Sequence, residues 1–101
     1  MANQTSITIP FYSDAGHGWA KVHTDLLDEL GIRNQITSYS YMRGDYAYLE
    51  EDCDVSTLVK AADSHGLNIK FKSMKPAYYQ SRIRSYQPYA TLNGSTYQYQ
   101  W

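Results

Sequence analysis

Apolar and polar positions alternate from Ser6 to Tyr12 (SITIPFY), placing Ile7, Ile9 and Phe11 on one side as in a half-buried strand. Pro10 has no N–H to give a ladder, so this strand is expected at a sheet edge, or to end there. Ser13-Asp14-Ala15-Gly16 is a turn cluster, and His17–Val22 follows as the second arm of a hairpin. A helix from Ala15 is rejected, because Gly16 and Gly18 in its first turns would cost ~1 kcal/mol each. Thr24–Leu30 is the first helix, with Thr24 as N-cap, Asp25 in the first turn and Leu26, Leu27 and Leu30 as the buried stripe. Gly31-Ile32 is its stop signal.

Gln35–Arg43 and Asp45–Glu51 alternate again and predict two strands joined at Arg43-Gly44-Asp45. Tyr39 and Tyr41 share one face of the first, and Tyr46 and Tyr48 one face of the second, so aromatic cross-strand pairs help to set register. Asp54 is the expected N-cap of the second helix, whose apolar positions Val55, Leu58, Val59 and Ala62 recur at helical spacing. Gly66-Leu67 repeats the glycine-plus-apolar stop, and Leu67–Ser73 alternates as a further strand, with Leu67, Ile69 and Phe71 inward. The order ββαββαβ predicts an α+β fold, a two-layer sandwich of an antiparallel sheet with two short helices on one face. Without the first strand, the order is the βαββαβ of a ferredoxin-like variant. Residues 1–74 form the expected compact domain. Residues 75–101 are a Tyr-rich, basic C-terminal extension, with an extended arm expected beyond Pro88.

A length of 101 residues allows one domain, and 43% hydrophobic residues suit a packed globule. No apolar run reaches the ~18 residues of a membrane span, and the N-terminal stretch lacks a signal-peptide layout. Cys53 is the single cysteine, so an internal disulfide is excluded and a reducing, intracellular setting is expected. The net charge of −1 conceals an asymmetry. All ten acids lie within positions 1–63 against four Lys and Arg, whereas positions 64–101 hold five Lys and Arg and no acid. Such a split points either to an acidic or polyanionic partner for the basic part or to mutual neutralisation in the fold.

Three groupings could carry chemistry. His17, flanked by Gly16 and Gly18 and close to Asp14 and Trp19, is the candidate small-ligand or enzymatic site, since Asp14 could orient the imidazole as a general base. Cys53 lies among acids, which raise a thiol pKa and leave the histidine without a nucleophile to serve. Glu50-Glu51-Asp52-Cys53-Asp54 offers oxygen ligands to a hard cation, but lacks EF-hand spacing, and helix capping accounts for two of its acids. No metal or cofactor is expected, because zinc spacing and nucleotide-binding glycine motifs are absent. The third grouping sets Lys70, Lys72, Arg82 and Arg84 among Tyr78, Tyr79 and Tyr86, with Lys75 and Tyr89 beside them. Cations with stacking rings suit nucleic acid, and Tyr and Arg equally suit a protein interface. A sequence pI near 6.2 favours the protein interface.

The spaced set DAGHGWAKV, ELGI, YSY and YLEEDCD resembles a family of small proteins encoded by bacteriophages and other bacterial mobile elements. The resemblance covers roughly residues 11–66. In that family a proline follows the GHGW strand, where this chain has His23. The resemblance brings no catalytic residue. It implies a non-enzymatic protein of the host bacterial cytoplasm that binds and inhibits a host protein, a component of anti-phage defence being one candidate. Nucleic-acid binding through the basic tyrosine-rich surface, and a ligand at His17, remain the alternatives. A homodimer through an exposed sheet edge is compatible with either.

Overall fold

The computed structural model describes residues 5–90. The strands are β1 (Thr5–Ser13), β2 (Gly18–His23), β3 (Tyr41–Arg43), β4 (Tyr46–Glu50), β5 (Leu67–Ser73) and β6 (Gln87–Pro88). The helices are α1 (Thr24–Glu29) and α2 (Asp54–Ser64). Single 3-10 turns occupy Arg33–Gln35 and Arg82–Ser85. The fold is α+β: one six-stranded sheet in the order β5-β1-β2-β4-β3-β6, with the two helices packed on it.

The sheet is mixed, because the β1–β5 pair is parallel while the other pairs are antiparallel. The direction follows from connectivity. A helical crossover returns the chain in its original sense, so α2 delivers β5 running the same way as β4. β4 and β1 both run against β2, and β5 therefore lies parallel to β1. Without β1 and the short β6 the order would read β5-β2-β4-β3. The N-terminal strand is wedged between the last and first strands of a βαββαβ unit.

Pro10 does not put β1 at the edge of the sheet. It pairs with Lys72 of β5, while the β1–β2 pairs run only from Phe11 to Ser13. The proline thus sits where β1 has a ladder on one side alone, and the missing N–H is tolerated there.

The sheet buries both faces. On the helix face, Ile9, Ala20, Val22, Ala47 and Leu49 pack with Leu27, Leu30, Leu58 and Ala62. On the back face, Trp19, Tyr48 and Ile83 are buried together, with Tyr12, Tyr41 and Tyr86 against them. Ile83 comes from the C-terminal extension, which is a strap. The amides of Met74, just before it, and of Ala77 within it donate to the carbonyls of Phe11 and Ser13, prolonging the contact with β1. It then crosses the back face and ends as β6, paired with β3. Tyr89, expected on an open surface, is buried and donates from its hydroxyl to the carbonyl of Arg33 at 2.6 Å. The expected arm beyond Pro88 falls, past Ala90, outside the described residues.

Two helix stops form as expected: Gly31 and Gly66 have φ of 72° and 71°, the left-handed conformation glycine adopts without strain. The caps differ. His23 rather than Thr24 caps α1, its Nδ1 accepting from the amide of Asp25 at 3.0 Å. At α2 the Glu50 carboxylate accepts from the amides of Asp52 and Cys53. Asp54 turns inward, accepting from Thr37 N, Thr37 Oγ1 and Ser40 Oγ. This clamp is why the strand expected over Gln35–Arg43 shrinks to Tyr41–Arg43. The amide of Thr37 is committed to a carboxylate and that of Ser40 to the Thr37 carbonyl, so neither can enter a ladder.

Candidate functional site

The turn between β1 and β2 is organised by Asp14, whose Oδ1 accepts from the amides of Gly16 at 2.9 Å and His17 at 3.0 Å. Small polar residues close turns in this way, mimicking a backbone bond. The other ligands of this carboxylate come from the strap. Arg84 donates from Nε to Oδ2 at 2.7 Å and from Nη2 to Oδ1 at 2.9 Å, and the Ser81 amide donates to Oδ2 at 2.8 Å. The Asp14 side chain is 1% exposed. The Arg84 guanidinium first, and then the backbone amides, hold its carboxyl far below the usual carboxylate range, while the carboxylate raises the arginine pKa in return. Asp14 is a latch between turn and strap, and has no bond left for the imidazole of His17.

Arg84 is therefore not a free cation. Besides gripping Asp14, its guanidinium lies 5.6 Å from the centroid of the Trp19 ring. Tyr86 packs on Tyr48 with ring centroids 5.1 Å apart, and Arg43 stands 5.2 Å over its ring. The remaining members of the basic-aromatic grouping face solvent. Lys70 and Lys72 lie on β5 at the sheet edge, and Arg82 is exposed in its 3-10 turn. Tyr78 and Tyr79 are 95% and 86% exposed, adjacent on the strap with ring centroids 6.2 Å apart. The strap holds both flanks of this pair, through Ala77 N on Ser13 O and Ser81 N on Asp14. It also lays them beside the β1–β2 turn, where Asp14, Ala15, Gly16 and Gln80 share a shallow depression with them.

A cleft of about 390 Å³ opens on the back face, lined by His17, Trp19, Ser38, Tyr39, Tyr41, Glu50, Asp52, Cys53 and Arg84. It joins two regions that look unrelated along the chain, the GHGW hairpin and the acidic junction before α2. Trp19 and Glu50 meet because they are cross-strand partners on β2 and β4. No signal in the linear pattern predicted that juxtaposition, nor the latch, whose partners are seventy residues apart. Burial first, and then Glu50, push the Cys53 thiol up, which opposes a nucleophilic role. No cluster of three metal-binding side chains occurs among the described residues.

No protein-family model, curated protein or solved structure matches the chain. No helix among the described residues is long and apolar enough to cross a membrane.

Proposed function

We propose that this chain is a non-enzymatic binding protein whose partner is a protein, engaged through the Tyr78–Tyr79 loop with Lys70, Lys72 and Arg82 as flanking cations. The observation that carries this reading is the exposure of two neighbouring tyrosines on a segment tied down at both ends. Tyrosine gives a large amphipathic contact for little ordering entropy, and a prepositioned loop lowers that cost further. The sequence resemblance to small bacteriophage proteins supports a partner in a bacterial host cell, with inhibition of that partner as the proposed consequence of binding. Two facts support a protein partner over nucleic acid. Arg84 is neutralised by Asp14, and the ring of Tyr86 is packed against Tyr48 and Arg43.

The test is affinity capture from nuclease-treated bacterial lysate with the wild type and a Tyr78→Ala/Tyr79→Ala variant. A host protein retained by the wild type and lost from the variant, with thermal stability unchanged within about 0.5 kcal/mol, is the expected result. Equal capture by both proteins refutes the surface. Partners that disappear with nuclease transfer the reading to nucleic acid, whose contacts weaken steeply with salt.

A further inference from the structure

β5 ends the sheet, and among the described residues β1 is its one strand neighbour. The two pair residue for residue, from Leu67 on Thr5 to Ser73 on Phe11, so no bulge interrupts the strand. Met74, the next residue, donates its amide to the Phe11 carbonyl. Amide direction alternates along a strand, so the amides of Ile69, Phe71 and Ser73 point away from β1. An edge of this kind is a template for another chain, and proteins blunt it with proline, bulges or charge. β5 has charge alone: Lys70 and Lys72 are exposed, and neither has a salt bridge among the described residues.

The two sides of the edge differ in chemistry. On the helix face, Ile69 and Phe71 stand beside Ile7 and Ile9. Phe71 is 41% exposed, with its ring edge-to-face with Phe11 at 6.1 Å. On the back face, Lys70 and Lys72 stand beside Thr8 and Pro10, so β1 gives them no counter-charge. Positions 64–101 contain no acid that could supply one. A second copy of β5 pairing antiparallel about Lys70 or Phe71 sets lysine opposite lysine, which is unfavourable. Carboxylates in the same places are attracted.

We propose that β5 takes an extended segment of the partner as a seventh strand, acidic at alternate residues and apolar between them. The carboxylates lie along Lys70 and Lys72, the apolar side chains cover Ile69 and Phe71, and the segment's carbonyls accept from the outward amides. Tyr78 and Tyr79 follow shortly after the end of β5, which joins edge and loop in one surface. The inference rests on the reading of that loop as a protein-binding site and names the chemistry of what binds beside it.

The probe is a synthetic heptapeptide of alternating glutamate and valine, titrated into the 15N-labelled full chain and followed by backbone NMR. A lysine–valine heptapeptide and a fully N-methylated glutamate–valine heptapeptide are the controls. The expected result is saturable shifts at the amides of Ile69 and Phe71 and slowed exchange there, with binding at least about tenfold tighter than either control. Lys70→Glu/Lys72→Glu, at exposed positions, should reverse the preference to the lysine–valine peptide. The proposal is overturned by no saturable binding up to about 1 mM, by equal binding of the N-methylated peptide, or by an unchanged preference in the charge variant. A dimer of the chain alone that slows exchange at Ile69 and Phe71 gives the edge to a second copy and overturns it too. A negative titration alongside capture that still depends on Tyr78 and Tyr79 sinks the added strand and spares the loop.

Discussion

Replacing Asp14 by alanine tests whether the strap belongs to the fold or merely lies on it. The carboxylate receives two bonds from Arg84 and one each from the amides of Gly16, His17 and Ser81. The Gly16 and His17 amides are exposed, so water replaces their acceptor at little cost. The Ser81 amide is partly buried, and its loss is felt. Losing a charge-assisted, nearly buried pair costs about 2 kcal/mol and stranding the Ser81 amide about 1, so Asp14→Ala should lose roughly 3 kcal/mol. That is a large share of a total of about 5–15 kcal/mol. The assay is urea denaturation at neutral pH in a Trp101→Phe background, followed by far-ultraviolet dichroism and by the fluorescence of Trp19, which lies under Ile83 and Arg84. Because the folded pKa of Asp14 is depressed, its contribution is fully present above the ordinary value of 3.8 and is lost as pH falls from there toward the lower folded value. The wild type should therefore lose stability over the variant in that acid range only, and the two curves should converge. A loss under about 1 kcal/mol at neutral pH, or a gap that persists in acid, would refute the latch.

Two further outcomes follow from buried polar contacts. Asp54→Ala removes the acceptor of Thr37 N, Thr37 Oγ1 and Ser40 Oγ, and should cost about 2–4 kcal/mol, with protection of the Thr37 and Ser40 amides lost in hydrogen exchange. Tyr89→Phe deletes the bond to the Arg33 carbonyl and should cost about 1 kcal/mol by chemical denaturation. Burial pushes the Tyr89 pKa up to about 12, so its neutral form stabilises the fold below the ordinary value of 10.0. That contribution fades as pH rises from there toward 12, a decline that Tyr89→Phe should not share.

The latch also changes how the interface can be probed. Charge reversal at Arg84 would test the strap rather than partner contact, because the same guanidinium holds Asp14. Arg82, exposed and without a salt bridge among the described residues, is the informative position. Arg84→Lys should restore only part of the latch, since an ammonium cannot make the two parallel bonds of the guanidinium fork.

Local pattern alone determined the element order ββαββαβ, the stops at Gly31 and Gly66 and the buried side of β1. These depend on periodicity and on left-handed backbone, which neighbours in sequence impose. Tertiary structure decided what depends on distant partners. Gln35–Arg43 alternates like a strand, yet Asp54 takes the amide of Thr37 and leaves only Tyr41–Arg43 in the ladder. Pro10 reads as an edge signal, and the sheet accepts it internally because β2 stops pairing with β1 just before it. The tyrosines of β3 and β4 read as cross-strand pairs that set register, and only the fold shows the strap covering that face by inserting Ile83 beside Trp19 and Tyr48. The basic run at Arg82 and Arg84 reads as one surface. Only the fold separates them, since one guanidinium meets a carboxylate seventy residues away and the other meets solvent.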